Sequence, residues 1–122
     1  MIKIKRAYEP AAATDGRRFL VDRVWPRGRR KEDLQIEAWV KEAGPSTELR
    51  KWFGHDPRRW AEFQQRYRRE LDADKAVLAP LVAAGRSGDV TLVYGAKDEQ
   101  HNQAVVIKQI LSERLALESK DE

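Results

Sequence analysis

Short hydrophobic runs along the chain have the patterns of β-strands. Residues 2–5 alternate isoleucine with lysine, which is the period of a half-buried strand. Residues 19–21 form a short apolar run that is followed by a polar loop. Residues 90–94 are apolar and rich in β-branched side chains, as expected of a parallel strand covered on both faces. The run 36–40 is ambiguous between a strand and a helical turn, and its alternation slightly favours a strand.

The clearest predicted helix spans residues 58–71. Asp56 is a good N-cap for it, and Pro57 occupies a position where a helix tolerates a missing N–H. The aromatic and aliphatic residues of this segment recur at helical spacing on one face, and arginines occupy the remaining positions. The members of the apolar face are Trp60, Phe63, Tyr67 and Leu71.

Weaker patterns predict three more helices. Residues 46–53 form a short one, and residues 77–85 form another in which Pro80 either kinks the helix or starts its last turns. A long final helix carries apolar residues at helical spacing, with Asp98 as its expected cap. Residues 29–35 are polar and charged, and are expected to be an exposed connection.

This order of elements predicts an α/β fold, with a small, mainly parallel central sheet of about four strands covered by helices. The fold is Rossmann-like, but the chain lacks the G-x-G-x-x-G dinucleotide fingerprint. Residues 1–117 are expected to form a single domain and residues 118–122 a charged tail. Ligands of such sheets bind at the carboxyl ends of the strands, which directs attention to the loops there.

Composition narrows the function classes. The chain has no cysteine, which excludes disulfides, thiolate nucleophiles, iron–sulfur clusters and cysteine-based zinc sites. Neither a signal peptide nor a membrane-spanning run is recognisable, so a cytoplasmic protein with no membrane partner is expected. Residues 17–70 hold 15 Lys and Arg against 9 Asp and Glu, so the middle of the chain favours an anionic partner.

The loop after the strand at 19–21 is the first candidate site. It combines the carboxylate of Asp22, the guanidiniums of Arg23 and Arg27, and the indole of Trp25. Arginine matches the oxygens of phosphate or carboxylate two at a time, and an indole can stack on a base or a sugar. The alternative is that Trp25 belongs to the core and that Asp22 pairs internally with an arginine.

The segment after the strand at 90–94 is the second candidate. Tyr94 and Lys97 lie near the strand end, and His101 and Asn102 are expected in the first turn of the last helix. The start of that helix is expected to offer free N–H groups to an anion. A lone histidine at this position can equally be a cap or a surface residue.

A third candidate lies between these two segments. Ser46 and the backbone amides at a helix start can hold a phosphate, and Arg50 lies one turn later on the same side. His55 follows the same short helix. An ordinary N-cap is the competing interpretation of Ser46.

Motifs for several other functions are missing. The sequence has no P-loop and no G-x-S-x-G elbow, and its two histidines form no recognisable metal site with the scattered acids. It identifies no cofactor and no oligomeric state. Standard nucleic-acid-binding motifs are not found either.

Five segments together resemble a known family. They are residues 20–28, 39–46, 49–55, 94–98 and 101–104. In these segments the chain resembles the YeaO-like branch of domain-of-unknown-function family 488, over essentially the whole length from Ile2 to about Leu115. The resemblance implies the fold but no settled function.

Two departures from the family pattern stand out. The resemblance extends to a broader family whose members share a strand that ends in Asp-x-Arg and a Cys-His-Arg segment at the last helix. In place of that segment, this chain has His101 and Asn102. The missing thiol puts any shared thiol chemistry in doubt. Gly44 stands where the branch usually has alanine, and this change is expected only to loosen the turn.

These observations favour a polar, arginine-rich crevice at the strand ends that binds a small anionic, phosphorylated or nucleotide-like ligand. Whether the protein is an enzyme stays open; if it is one, Asp22 and His101 are the natural acid–base pair. The alternatives are a nucleic-acid-binding module that uses the arginine-rich middle of the chain, which is less favoured, and an interaction scaffold.

Overall fold

Four parallel strands form one sheet in the computed structural model of the chain, which describes residues 1–120. They are β1 (Ile2–Arg6), β2 (Arg17–Leu20), β3 (Ala38–Trp39) and β4 (Val90–Tyr94). The strand order is β1-β4-β2-β3, and all three neighbouring pairs run parallel. The predicted small, mainly parallel sheet is therefore confirmed, and the ambiguous run 36–40 contains a strand of two residues.

The last strand in the sequence lies near the centre of the sheet. Leu92 of β4 is level with Ile4 of β1 on one side and with Phe19 of β2 on the other. Every residue of β4 is buried, as its apolar sequence predicts. Because β2 and β4 are parallel neighbours, the loops that follow them leave the sheet at the same edge.

Five α-helices accompany the sheet. They are α1 (Lys31–Leu34), α2 (Thr47–Phe53), α3 (Trp60–Ala73), α4 (Ala79–Ser87) and α5 (Gln103–Lys120). The main core lies between one face of the sheet and the longer helices. A smaller cluster on the opposite face contains Ala7, Leu20, Leu34 and Val93.

Helix α3 confirms the predicted amphipathic segment. Phe63, Tyr67 and Leu71 are buried, and Trp60 is partly buried against the same core. Asp56 caps the 3-10 turn Pro57–Arg59 that leads into α3, because its carboxylate accepts the Arg58 N–H at 3.0 Å. Pro80 lies in the first turn of α4, so it starts that helix and does not kink it.

Two local expectations are wrong, and the extent of the charged tail stays a prediction. The connection at 29–35 contains α1, whose Leu34 is fully buried against the second face of the sheet. Asp98 does not cap α5, which begins at Gln103, because the capping oxygen comes from Asn102. Residues 118–120 of the expected tail continue α5, and residues 121–122 lie outside the described part of the chain. None of the helices described is long and apolar enough to cross a membrane.

Candidate functional site

A cavity of about 300 Å³ opens at the carboxyl ends of β2 and β4. The loop of residues 22–27 lines it, together with Gly95 and Ala96, which follow β4. Phe53 of α2 and Phe63 of α3 contribute apolar side chains to its walls. Small-molecule pockets measure roughly 300–1,000 Å³, so the cavity suits one small molecule.

Most of the sequence-predicted site residues meet at this cavity. Those that line it are Asp22, Arg23, Trp25, Arg27, Arg50, His55, His101 and Asn102. Ser46, Tyr94 and Lys97 are not among the lining residues. The structure thus brings together residues from three separate stretches of sequence, whose ligand-binding role stays a prediction.

Three guanidiniums on the cavity pair with no carboxylate among residues 1–120. Arg23 donates from Nε to the Gly44 carbonyl at 3.0 Å, and the side chains of Arg27 and Arg50 make no hydrogen bond with the described residues. A guanidinium carries five N–H donors, so most of the donors here are available. Their arrangement favours binding of an oxyanion.

The carboxylate of Asp22 is the acidic group of the cavity. Its Oδ2 accepts the Gly95 N–H at 2.8 Å, and its Oδ1 accepts a hydrogen bond from the Gln103 amide. Burial raises the pKa of Asp22 to about 6, although these two donors and the charge of Arg50 act in the opposite direction. Asp22 is therefore a carboxyl group whose protonation changes near neutral pH.

Gly95 is required for this arrangement. A Cβ atom at position 95 would lie 2.9 Å from Oδ2 of Asp22, which is too close for a real contact. The carboxylate therefore packs directly against the backbone after β4. This contact fixes its orientation toward the cavity.

His101 has its own carboxylate partner. Its Nδ1 lies 2.9 Å from Oδ2 of Asp98, and its ring packs edge-on against Trp60 with ring centroids 5.2 Å apart. The hydrogen bond from the Gln100 N–H and, to a smaller extent, the hydrogen bond with the His101 ring lower the pKa of Asp98. Asp22 and His101 both line the cavity and are hydrogen-bonded to different partners, and their role as an acid–base pair stays a prediction.

Asn102 is the N-cap of α5 and not a residue of its first turn. Its Oδ1 accepts the N–H groups of Ala104 and Val105, and its Nδ2 donates to the Asp98 carbonyl at 2.8 Å. Asn102 therefore already accepts two of the N–H groups at the start of α5. Binding of an anion at this helix start stays a prediction.

The hydrogen-bond donors of Ser46 already bind a carboxylate within the protein. Its N–H and hydroxyl donate to the two carboxylate oxygens of Glu70 on α3, at 2.8 and 2.6 Å. Its hydroxyl oxygen also accepts the Leu49 N–H. Ser46 is thus an N-cap that ties α2 to α3, and its N–H and hydroxyl already donate to an internal carboxylate.

Tyr94 and Lys97 lie away from the cavity lining for different reasons. Tyr94 belongs to the main core with only 2% of its surface exposed, and burial raises the pKa of its hydroxyl to about 12. Lys97 is exposed on the turn beyond β4. His55 does line the cavity and has a left-handed backbone with φ of 57°, a conformation uncommon outside glycine.

Trp25 combines the two interpretations given to it. Its indole N–H donates to the Arg29 carbonyl at 2.6 Å, and its ring packs edge-on against Trp39. The side chain is partly buried against the smaller core cluster and also lines the cavity. Trp25 therefore shapes the wall and supports it at once.

Tyr8 and Gln103 line the cavity but are not predicted from the sequence. The Tyr8 hydroxyl donates to the Arg27 carbonyl at 2.9 Å, and the Arg6 guanidinium lies 5.2 Å from the centre of the Tyr8 ring. Gln103 positions Asp22. The sequence signal is that Tyr8 lies just beyond a strand and Gln103 at the start of a helix, both at the same edge of the sheet.

Gly44 has a more specific role than expected. A Cβ atom at this position would lie 2.8 Å from Cγ and 3.0 Å from the backbone nitrogen of Arg23. Gly44 thus lets the Arg23 side chain pack close to the turn, where its Nε donates a hydrogen bond to the Gly44 carbonyl. The expectation that this residue only loosens the turn is wrong.

The basic charge of α3 and of the turn before it is partly neutralised within the protein, although Arg69 forms no ion pair with the described residues. Arg66 pairs with Glu62, Arg68 with Glu113, and both Arg58 and Arg59 with Asp56. Residues 1–120 include no cluster of three or more histidine, aspartate and glutamate side chains suited to a metal ion. The cavity arginines, in contrast, share one concave surface and form no ion pair with the described residues.

Comparisons with known proteins place these features in a family context. The profile described as "Inactive DUF488-N3 subclade" matches residues 1–122. An uncharacterised protein of Mycobacterium tuberculosis is 41% identical over 113 residues, which cover 93% of this chain and 95% of the relative. The uncharacterised protein YeaO of Escherichia coli is 42% identical over 106 residues, or 87% of this chain and 92% of YeaO. No solved structure matches the chain significantly.

Proposed function

The chain belongs to the DUF488 family, and we propose that it is a binding protein whose cavity holds a small anionic, phosphorylated or nucleotide-like molecule. One observation carries the proposal. Arg23, Arg27 and Arg50 converge on a single cavity, and none of them pairs with a carboxylate among the described residues. An oxyanion of the ligand supplies the missing partner.

The walls of the cavity support a ligand with an apolar or planar part beside the anion. Phe53, Phe63 and Pro26 line it together with Trp25. Such mixed lining, mostly apolar with a few convergent polar groups, is typical of small-molecule sites. A volume of about 300 Å³ admits a mononucleotide more readily than a dinucleotide.

Binding without catalysis agrees best with the available groups. The matched subclade is described as inactive, and the chain has no cysteine to act as a nucleophile. Asp22 and His101 are each held by other partners, so no base is paired with a nucleophile at the cavity.

Nucleic-acid binding receives less support. Two of the α3 arginines that would carry it, Arg66 and Arg68, are paired with carboxylates, and the aromatic residues Phe63 and Tyr67 of this helix face the core. A polyanion bound through many phosphates would lose affinity steeply as salt increases, whereas a ligand held in a cavity would lose less. Salt dependence thus separates the two functions.

Calorimetric titration with adenosine 5′-monophosphate and with inorganic phosphate tests the proposal. Wild-type protein is expected to bind the nucleotide at one site, and Arg50→Ala is expected to weaken binding at least about tenfold, because a hydrogen bond to a charged group is lost. Arg69→Ala is the matched control, since Arg69 is an exposed α3 arginine outside the cavity lining.

Two results would overturn the proposal. One is the absence of binding of either probe to the wild-type protein. The other is an equal loss of affinity in Arg50→Ala and Arg69→Ala, which would indicate diffuse attraction to surface charge.

A further inference from the structure

Asp22 has unused acceptor capacity inside a cavity that is otherwise suited to an anion. Each of its carboxylate oxygens accepts one hydrogen bond, from Gly95 and from Gln103. A carboxylate offers about four lone-pair sites, so about two are unused. Asp22 forms no ion pair with any residue between 1 and 120, although it is partly buried.

The groups around Asp22 do not supply the missing donor. Arg50 from α2 influences it through charge without a hydrogen bond, and Arg23 from the same loop turns its Nε toward Gly44. Tyr67 from α3 donates its hydroxyl to the Ala43 carbonyl. His101, before α5, uses its Nδ1 toward Asp98.

An anionic group placed directly against Asp22 would be repelled by the carboxylate. The arginines and Asp22 therefore attract chemically different groups of a ligand. A ligand that satisfies both must carry an oxyanion and, at a separate position, hydrogen-bond donors.

The orientation of Asp22 is fixed before any ligand arrives. The Gly95 N–H and the Gln103 amide hold both oxygens, and a side chain at position 95 would collide with Oδ2. A carboxylate held in this way recognises two adjacent N–H groups with little further ordering, because two parallel hydrogen bonds match its geometry.

From these contacts we infer that the ligand is a mononucleotide-like molecule whose planar ring presents adjacent N–H donors, of the amidine type found in guanine, to Asp22 while its phosphate binds the cavity arginines. The inference rests on the proposed function, because it assumes that the arginines hold the anion. The aromatic side chains of Trp25, Phe53 and Phe63 provide the apolar surface against which such a ring packs.

A matched pair of probes isolates the contact with Asp22. Guanosine 5′-monophosphate and inosine 5′-monophosphate differ only in the exocyclic amine, one of the two donors. Calorimetry of the wild-type protein is expected to give at least about tenfold tighter binding of the guanosine probe, the size of one hydrogen bond to a charged acceptor.

Asp22→Asn is expected to remove this preference, because the amide no longer offers two acceptor oxygens. The ratio of the two affinities then approaches one, while the inosine probe still binds. Asp72→Asn is the matched control, since Asp72 is exposed on α3 and does not line the cavity.

The possible results distinguish a failure of this inference from a failure of the proposed function. If adenosine and inosine 5′-monophosphate bind through Arg50 but the wild-type protein shows no preference for the guanosine probe, this inference fails and the proposed function stands. A preference that persists unchanged in Asp22→Asn also overturns the inference. If no nucleotide and no inorganic phosphate binds, both fail.

Discussion

Burial of the ionised Asp22 carboxylate in the cavity lowers the stability of the folded protein. Burial raises its pKa to about 6, whereas an aspartate in an unfolded chain has a pKa of about 3.9. The folded state therefore holds the proton more tightly than the unfolded state. As the pH rises from about 4 to about 6, ionisation of Asp22 lowers the free energy of unfolding, and this loss persists above pH 6.

Asp22→Asn is expected to recover that loss, because asparagine cannot ionise. The raised pKa predicts that the free energy of unfolding of Asp22→Asn, relative to the wild-type protein, is about 2 kcal/mol higher at pH 7.5 than at pH 4.5. Urea unfolding of both proteins at the two pH values measures it. A difference between them that does not change with pH would contradict the interpretation.

Single residues were predictable from sequence where a general rule of α/β sheets applies. Asp22, Arg23, Arg27 and His101 follow strands, and the structure gathers them at one edge of the sheet. Ser46 was not predictable in the same way, because its partner Glu70 lies 24 residues further along the chain. The sequence shows a suitable N-cap, but it does not show which carboxylate reaches it.

At the scale of elements, the main prediction concerns the stability contributed by the buried face of α3. Phe63 is 2% exposed and stacks on Phe53 at a centroid distance of 4.3 Å, whereas Trp60 is only partly buried. The sequence alone favours a cost of about 3–5 kcal/mol for Trp60→Ala. From the structure we expect Phe63→Ala to lower the free energy of unfolding by about 3–5 kcal/mol. Trp60→Ala is expected to lower it by only about 1–3 kcal/mol, because the indole keeps contact with solvent.

Urea unfolding followed by circular dichroism compares the two variants without relying on the fluorescence of the deleted tryptophan. A greater loss in Trp60→Ala than in Phe63→Ala would mean that the buried face of α3 is assigned incorrectly. Equal losses would contradict the ranking as well.

Two errors at this scale have a common physical cause. Helix α1 has four residues with a single buried side chain, so the sequence around it shows no helical period. The start of α5 was misplaced because Asp98 and Asn102 are both good caps, and only the structure shows that Asp98 accepts the N–H groups of the preceding turn. Short helices and competing caps depend on tertiary contacts that a local pattern does not contain.

At the scale of the whole molecule, the fold class followed from the alternation of strands and helices, but the strand order did not. The cavity exists because β4 pairs with β2, which brings residues 22–27 and 95–103 to the same edge of the sheet. The excess positive charge of the middle segment was visible in the sequence. Only the structure shows which arginines pair with carboxylates, as Arg66 and Arg68 do, and which line the cavity without such a partner.

The central claim is that Arg23, Arg27 and Arg50 bind one anion together. Arginine Nε–Hε resonances, followed by NMR during a titration with inosine 5′-monophosphate, report on each guanidinium separately. The account predicts saturable shifts with one common dissociation constant for these three arginines, and negligible shifts for Arg66 and Arg86, which already pair with glutamates. Shifts of similar size at all arginines, or none at the three cavity arginines, would contradict it.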